Sequence, residues 1–177
     1  MKIQIPPSVH SYPAPVILIG CGTIDKPNII TCSWFGTVCS EPPMVSVSIR
    51  RNRHSYNPIH ISGEFTVNIP QTTDIDIVKY CGTKSGRDVN KFTELGLTPA
   101  ICPPLRVAPM ISECPLVLAC KVKHELELGT HNIFIAEVMS IHCEEDRVRK
   151  SQRPDTNPED QVVYLDGKYW TLDHLRE

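Results

Sequence analysis

The stretch SIRRNRHS, residues 48–55, concentrates positive charge between two serines. It contains Arg50, Arg51, Arg53 and His54 in a chain whose formal net charge is only −2. Guanidinium groups together with hydroxyls suit a phosphate group, which arginine binds through two parallel hydrogen bonds. A nucleic acid or a solvated loop would also account for these residues, so the rest of the sequence has to separate three alternatives.

The charge balance argues against nucleic acid. The chain has 18 lysine and arginine residues against 20 aspartate and glutamate residues, and its sequence pI is about 6.4. A surface that binds nucleic acid is normally basic well beyond one short cluster. We therefore expect no nucleic-acid partner.

Small polar side chains recur on alternate positions of three strand-like segments. In NIITCSWFGT, Thr31 and Ser33 lie on one face of a strand, and Ile30, Cys32 and Trp34 lie on the other. Two further segments place Ser46, Ser48, Thr66 and Asn68 in the same alternating way. These faces suit a flat heteroaromatic ligand with carbonyl and ring-nitrogen edges, and the alternative is a polar face in water.

Several catalytic and metal-binding patterns are missing from the sequence. It contains no GxxxxGK[ST], GxGxxG or GxSxG, which removes the usual anchors for nucleoside triphosphates, dinucleotides and a serine nucleophile. No CxxC or HExxH occurs, and several of the eight cysteines lie in apolar runs. We expect mostly free thiols and no metal, with a structural zinc site as the alternative.

Alternation of apolar and polar residues dominates the chain and predicts strands. PLVLACKVKHELELG is the longest case, in which Leu116, Leu118, Cys120, Val122, Leu126 and Leu128 are expected on one face. A turn at Gly129 joins it to NIFIAEVMSIHC as a long hairpin, and NIITCSWFGTV reads as one strand. Short helices are expected after Ser55, near Thr73 and before Gly96.

Two later segments complete the organisation of the chain. Residues 144–160 have almost no apolar content and are expected to form a loop, and VVYLDGKYW predicts a final hairpin that turns at Asp166 and Gly167. The sum is one domain, residues 1–177, built as a mainly β antiparallel barrel with a few short helices. Neither a secretory signal nor a membrane span is evident, so we expect a cytoplasmic protein with no membrane association.

These segments together resemble the flavin reductase-like family of FMN-binding split barrels, and especially its flavoredoxin-type branch. The resemblance rests on residues 12–49, on RNRHS, GEFTVNIP and CGTKSGRDVNKF, and on GTHNIFIAEV and YLDGKYW. Their order and spacing cover nearly the whole chain. The family implies a six-stranded Greek-key barrel, a homodimer with FMN near the subunit interface, and electron transfer through the flavin.

The resemblance also implies roles for individual residues. Four residues are expected near the isoalloxazine: Asn28, Thr31, Cys32 and Ser33. Five are expected near the ribityl chain and phosphate: Ser48, Arg50, His54 and Ser55, together with Asn68 from the neighbouring strand. Ser85, Gly86 and Lys91 are expected to form a second contact on the phosphate side. These three residues come either from the same subunit or from the other subunit of the dimer. Arg51 is expected to be solvated, and for Arg87 a plain surface role is at least as well supported. Cys32 either tunes the flavin or is an inert buried thiol.

One residue departs from the family pattern. Many members carry Gly-Asp-His where this chain has Gly129, Thr130 and His131. Without the aspartate, no neighbouring anion raises the pKa of His131, which remains the candidate catalytic residue at the flavin edge. The hypotheses are an FMN-dependent oxidoreductase using NAD(P)H, an electron carrier reduced by a protein partner with no nicotinamide site, and a barrel that binds no flavin.

Overall fold

Strands make up most of the fold, which we describe from a computed structural model for residues 1–9 and 12–173. The strands are β1 (Ala14–Pro15), β2 (Ile17–Gly22), β3 (Pro27–Cys32), β4 (Phe35–Ser40), β5 (Pro43–Arg50), β6 (Glu64–Asn68), β7 (Pro99–Ile101), β8 (Pro109–Ile111), β9 (Leu116–Leu128), β10 (His131–Cys143), β11 (Val162–Leu165) and β12 (Lys168–Thr171). The α-helices are α1 (Tyr56–Ser62), α2 (Ile75–Thr83) and α3 (Lys91–Leu95). The mainly β class with few short helices is confirmed.

A large antiparallel sheet forms the barrel. Its strand order is β3-β2-β6-β9-β10-β5-β4, so it has seven strands rather than the expected six. The extra strand arises because residues 28–38 do not form one strand: the chain turns a corner at Ser33 and Trp34 between β3 and β4. β3 and β4 are the two edges of the sheet, and the Ser48 amide donates to the Trp34 carbonyl at 3.0 Å beside the corner. The corner therefore joins the edges and closes the barrel.

An irregularity in the β9–β10 ladder changes which residues of β9 face the barrel interior. The register shifts between Ile135 and Ala136, so that Ala136 lies opposite Val122 whereas Phe134 lies opposite Glu125. Such a bulge reverses the alternation beyond it. The expectation that Leu126 and Leu128 share a face with Cys120 is wrong for this reason: both leucines are about half exposed, at 48% and 56%.

Buried side chains cover both faces of the sheet around β2. Ile17 and Ile19 of β2 pack inside the barrel with Val47 and Phe65, among others. Leu18 packs outside it, under α2 and α3, with Ile29, Val78 and Phe92. Thr66 and Asn68, the polar residues of β6, consequently lie in protein rather than in water.

Turns and helix ends largely follow the sequence signals. Gly96 ends α3 with a φ of 64°, and the hairpin between β11 and β12 turns through Asp166 and Gly167, both of positive φ. Thr73 does not cap a helix. It lies within a 3-10 turn that Gln71 caps, and this turn immediately precedes α2. That residues 1–177 form a single domain stays a prediction.

Candidate functional site

Two adjoining cavities lie where β3 ends and where β5 runs into the loop of residues 51–55. The strand cavity, about 280 Å³, is lined by Ile30, Thr31, Cys32, Ser33, Trp34, Ser48, Ile49, Arg50, Arg53 and His131. The basic cavity, about 240 Å³, is lined by Ile30, Asn52, Arg53, His54, Cys81, Gly82, Lys84, Ser85, Gly86, Arg87 and Lys91. Ile30 and Arg53 line both, so the two cavities form one elongated site.

The strand cavity brings together six of the predicted residues. They are Thr31, Cys32, Ser33, Ser48, Arg50 and His131. Thr31 already donates its hydroxyl to the Val78 carbonyl at 2.6 Å, whereas the hydroxyls of Ser33 and Ser48 have no hydrogen-bond partner among the described residues. Burial raises the pKa of the Cys32 thiol to about 12, so this cysteine is a neutral thiol. The two serines are therefore the hydroxyls available to a ligand.

His131 stands at the tip of the β9–β10 hairpin in a cationic environment. Arg50 Nε donates to His131 Nε2 at 3.3 Å, so the proton of the ring lies on Nδ1, 2.9 Å from the Thr130 hydroxyl. Burial and the charges of Arg50 and Arg53 lower the pKa of His131. The imidazole is thus neutral near pH 7, in agreement with the loss of a carboxylate at position 130.

Cations are concentrated around the basic cavity. Arg53, Lys84, Arg87 and Lys91 line it, and no acidic side chain occurs among its described lining residues. Lys91 is only 3% exposed, and its Nζ donates to the carbonyls of Ile29 at 2.6 Å and Cys81 at 2.9 Å. An ammonium group has three N–H donors, which leaves one for a ligand. The arrangement suits a phosphate group.

Ionisation around this cavity is shifted toward the uncharged forms. Burial, followed by the charges of Arg87 and Lys91, lowers the pKa of His54. Burial likewise lowers the pKa of Lys91. Burial is the main cause of both pKa shifts and neighbouring cations add to it, so an anionic ligand would oppose both.

The loop that carries Ser85 and Gly86 packs tightly against the rest of the site. A Cβ atom at Gly86 would overlap Asn28 Oδ1 and lie 2.6 Å from Cδ2 of His54, so only glycine fits. Ser85, Gly86 and Lys91 therefore line the same cavity as His54 within one chain. Supply of this contact across a dimer is not required.

Asn28 and Ser55 lie behind the cavities rather than in their walls. Asn28 is 5% exposed and Ser55 is 2% exposed, and Asn28 Nδ2 donates to the Ser55 hydroxyl at 2.7 Å. Their hydrogen bond joins β3 to the start of α1. It holds the loop of residues 51–55 in place, and the expected contacts of Asn28 and Ser55 with a ligand stay a prediction.

Asn68 does not line either cavity. It is fully buried, donates to the Leu18 carbonyl and the Thr66 hydroxyl at 3.0 Å each, and accepts from the Ile111 amide at 2.9 Å. The contacts with Leu18 and Ile111 tie β6 to β2 and β8, and the contact with Thr66 lies within β6. The outward face of β6 is covered by protein, so its polar residues satisfy buried backbone groups instead of a ligand.

Arg51 is half exposed but is not simply solvated. Its Nε donates to Asn132 Oδ1 at 2.8 Å, and its guanidinium forms an ion pair with Glu127. Asn132 is 2% exposed and donates in turn to Glu125, which also accepts from the Tyr56 hydroxyl at 2.7 Å. This network fixes the basic loop relative to the hairpin tip.

Sequence reasoning missed Trp34 and Lys84 as lining residues and undervalued Arg87. The alternation predicts Trp34 on the face opposite Ser33, but the corner brings both to the strand cavity, where the centre of the Trp34 ring lies 4.5 Å from that of His131. Lys84 and Arg87 are the chain neighbours of Ser85 and Gly86. Their position beside two predicted site residues was the sequence signal that they line the same cavity.

Three further observations concern chemistry outside this site. All eight cysteines are free. No group of three or more metal-ligating side chains occurs within residues 1–9 and 12–173. In that same part of the chain, no helix is both long and apolar enough to cross a membrane.

Comparison with known proteins decides the family. A family model described as "Flavin reductase like domain" matches residues 9–173. This chain belongs to the flavin reductase-like family. The resemblance deduced from the sequence is thereby confirmed.

Individual members of the flavin reductase-like family show the closeness of the match. The structure of flavoredoxin from Desulfovibrio vulgaris (Miyazaki F) shares 32% identity, with a TM-score of 0.89 over 100% of this chain and 96% of the other. Flavoredoxin from Methanosarcina acetivorans shares 31%, with a TM-score of 0.90 over 100% and 94%. The reductase component of 4-nitrophenol 4-monooxygenase/4-nitrocatechol 2-monooxygenase from Rhodococcus opacus is 28% identical over 76% of this chain and 69% of its own.

Proposed function

We propose that this protein is an FMN-binding oxidoreductase that passes electrons from NAD(P)H or a protein donor to a flavin, metal or protein acceptor. The observation that carries the proposal is the joining of a cationic cavity to one lined by strand-end hydroxyls. Together the cavities fall within the range of about 300–1,000 Å³ typical of small-molecule sites. FMN has both features that such a site would recognise, a phosphate and a flat ring.

The residues present fit FMN. Arg53, Arg87 and the remaining N–H of Lys91 would hold the phosphate, and the partnerless hydroxyls of Ser33 and Ser48 would meet the ribityl chain and ring edge. When bound, FMN supplies an isoalloxazine ring that accepts and releases electrons. The protein supplies orientation and positive charge.

His131 contributes as a neutral imidazole. Because its Nε2 accepts from Arg50 and its Nδ1 proton is directed to Thr130, it holds the guanidinium of Arg50 at the edge of the strand cavity. Hydride transfer to a flavin needs no protein acid, so a neutral histidine is compatible with the reaction. We assign His131 a place at the flavin edge, where it orients Arg50 and contacts Trp34.

The first experiment is an anaerobic visible absorption spectrum of the purified protein, taken before and after addition of NADH and then NADPH. A flavin spectrum bleached by either nucleotide is the expected result and names the donor. A colourless protein that also fails to take up added FMN would refute the proposal.

A second candidate function is an electron carrier whose FMN is reduced by another protein. The two similar flavoredoxin structures favour it, and so does the absence of an anion beside His131 among the described residues. A yellow protein that neither nucleotide bleaches, but that dithionite reduces, would support the carrier over the NAD(P)H-dependent enzyme.

We also propose that the protein is a homodimer. The bulge in β9 turns Leu126 and Leu128 outward, where they are half exposed near the hairpin tip. Apolar side chains grouped in this way support an interface between copies. Light scattering should give twice the chain mass, and Leu126→Asp with Leu128→Asp should give the monomer; a monomeric wild-type protein at micromolar concentration would contradict the dimer.

We further propose that the protein is cytoplasmic, and its eight free thiols support a reducing compartment.

A further inference from the structure

The bulge in β9 determines the direction of the Glu125 side chain. The register of the β9–β10 ladder skips Lys123, so that Glu125 lies opposite Phe134, which is fully buried in the barrel core. In a strand without the bulge, alternation counted from Val122 would send Glu125 to the other face of the sheet. The bulge therefore places a carboxylate on the face that carries Phe134.

The carboxylate of Glu125 is connected to both ends of the loop of residues 51–55. After the end of the loop, Tyr56 begins α1 and donates its hydroxyl to Glu125 Oε1 at 2.7 Å. At the start of the loop, Arg51 Nε donates to Asn132 Oδ1 at 2.8 Å, and Asn132 Nδ2 donates to the same oxygen of Glu125 at 2.5 Å. One oxygen atom thus ties the two ends of this loop to the hairpin.

The second oxygen of Glu125 contacts the helix that follows the loop. His60 Nδ1 lies 2.7 Å from Oε2, and the His60 ring stacks on that of Tyr56 with their centres 5.5 Å apart. Burial opposes ionisation of Glu125, but hydrogen bonds from His60, Tyr56 and Asn132 outweigh it and lower the pKa of this carboxyl group. Glu125 is therefore an anion at neutral pH and accepts all three hydrogen bonds.

The loop held in this way carries two side chains of the basic cavity, Arg53 and His54. Neither side chain has a hydrogen-bond partner among the described residues, so their placement depends on the backbone of the loop. A loop that is ordered before binding spares the ligand the entropic cost of ordering it. Glu125 lines neither cavity, yet it bears on how well the basic cavity is formed.

We propose that Glu125 is a positioning residue of the phosphate site, which acts by holding both ends of the loop of residues 51–55 through its hydrogen bonds. The inference rests on the proposed function, because the phosphate concerned is that of FMN. Its predicted effect has the opposite sign to a direct electrostatic one. Loss of an anion near the site would by itself tighten the binding of a phosphate, whereas release of the loop weakens it.

Glu125→Ala and Glu125→Gln separate these two effects. The alanine variant loses the charge and the hydrogen bonds, so its dissociation constant for FMN should rise about tenfold, with a change of about twofold or less for riboflavin. The glutamine variant loses only the charge, because its amide oxygen still accepts from Tyr56 and Asn132 and its amide nitrogen donates to a neutral His60 ring. Its FMN affinity should stay within about twofold of the wild-type value in the same flavin fluorescence titration.

Glu137 provides the matched control on the same hairpin. Its side chain is 26% exposed, against 22% for Glu125, and it pairs with Lys123 rather than with the network at the loop. Glu137→Ala removes the same charge and an ion pair. It should leave both flavin affinities within about twofold of the wild-type values.

Tyr56→Phe tests one hydrogen bond at a time and also decides the question if Glu125→Ala does not fold. The phenylalanine keeps the ring that packs on Phe134 and loses the hydroxyl that donates to Glu125. FMN binding should weaken about threefold, and riboflavin binding should not change. Unchanged FMN binding in this variant would contradict the proposed action of Glu125 on the end of the loop.

Inorganic phosphate gives a readout that needs no flavin. Its binding to the flavin-free protein, followed through the NMR signals of the His54 ring, should weaken about tenfold in Glu125→Ala and remain near the wild-type value in Glu125→Gln. Equal losses of FMN and riboflavin in Glu125→Ala, tighter FMN binding there, or a glutamine variant as weak as the alanine variant would each overturn the positioning role. If the wild-type protein binds FMN no more tightly than riboflavin, the proposed function loses its phosphate site, and the phosphate titration still decides the role of Glu125.

Discussion

Replacement of Arg53 by glutamine tests the phosphate role of the basic cavity most cleanly. Arg53 lines both cavities, and its side chain makes no hydrogen bond or ion pair with a described residue. The free energy of unfolding should therefore change by no more than about 0.5 kcal/mol. A hydrogen bond to a charged group contributes about 1.5–3 kcal/mol, and the exposure of Arg53 places it at the lower end. The dissociation constant of FMN should consequently rise about tenfold.

The assay compares FMN with riboflavin, which lacks the phosphate. Flavin fluorescence titration of Arg53→Gln should show a change of about twofold or less for riboflavin. Arg106→Gln removes the same charge at an exposed position outside both cavities, and it should leave both affinities unchanged. Equal losses of FMN and riboflavin in Arg53→Gln would refute the assignment of this residue to the phosphate.

Three further changes probe other parts of the site. Gly86→Ala should lower the free energy of unfolding by about 1–3 kcal/mol and weaken FMN binding, since the methyl group overlaps Asn28 and meets His54; an unchanged urea midpoint would argue against the close packing. Asn132→Ala should cost about 1–3 kcal/mol in the same measurement, because Arg51 and Glu125 lose a buried partner, and full stability would contradict the network. The pKa of His54, lowered by burial and by the Arg87 and Lys91 charges, should rise when inorganic phosphate binds, as followed by NMR. Binding then takes up a proton, so FMN affinity should increase as the pH falls toward the unshifted histidine pKa of about 6.5, and a pH-independent affinity would contradict this coupling.

The strands were predictable because alternation of residue types reports directly on a half-buried face. The sequence could not predict which residues of β9 face the barrel interior beyond the bulge, because a bulge leaves no pattern in the residue types around Val122 and His124. The same limit applies to Trp34, which a straight strand would place opposite Ser33. A corner changes direction without changing the local composition.

The candidate site was predictable where its residues are clustered along the chain. Arg50 ends β5, Arg53 and His54 follow in the next loop, and Ser85 and Gly86 lie in one tight loop, so each group stays together in the fold. Asn28 and Asn68 line neither cavity, and the sequence did not indicate this because alternation separates two faces without showing what covers each. Here protein covers both faces, and an amide that looks available to a ligand bonds backbone and side-chain groups instead.

The corner at Ser33 and Trp34 has a thermodynamic consequence. These two residues link the end of one sheet edge to the start of the other. They line both the strand cavity and a larger adjoining cavity of about 680 Å³ between the corner, the N-terminal segment and the final hairpin. Any ligand that shifts Trp34 in one cavity changes the shape of the other, and linkage requires the effect on affinity to be the same in both directions. A molecule that binds more tightly to the FMN-loaded protein must therefore slow the loss of FMN or hasten its uptake, even if the two never touch.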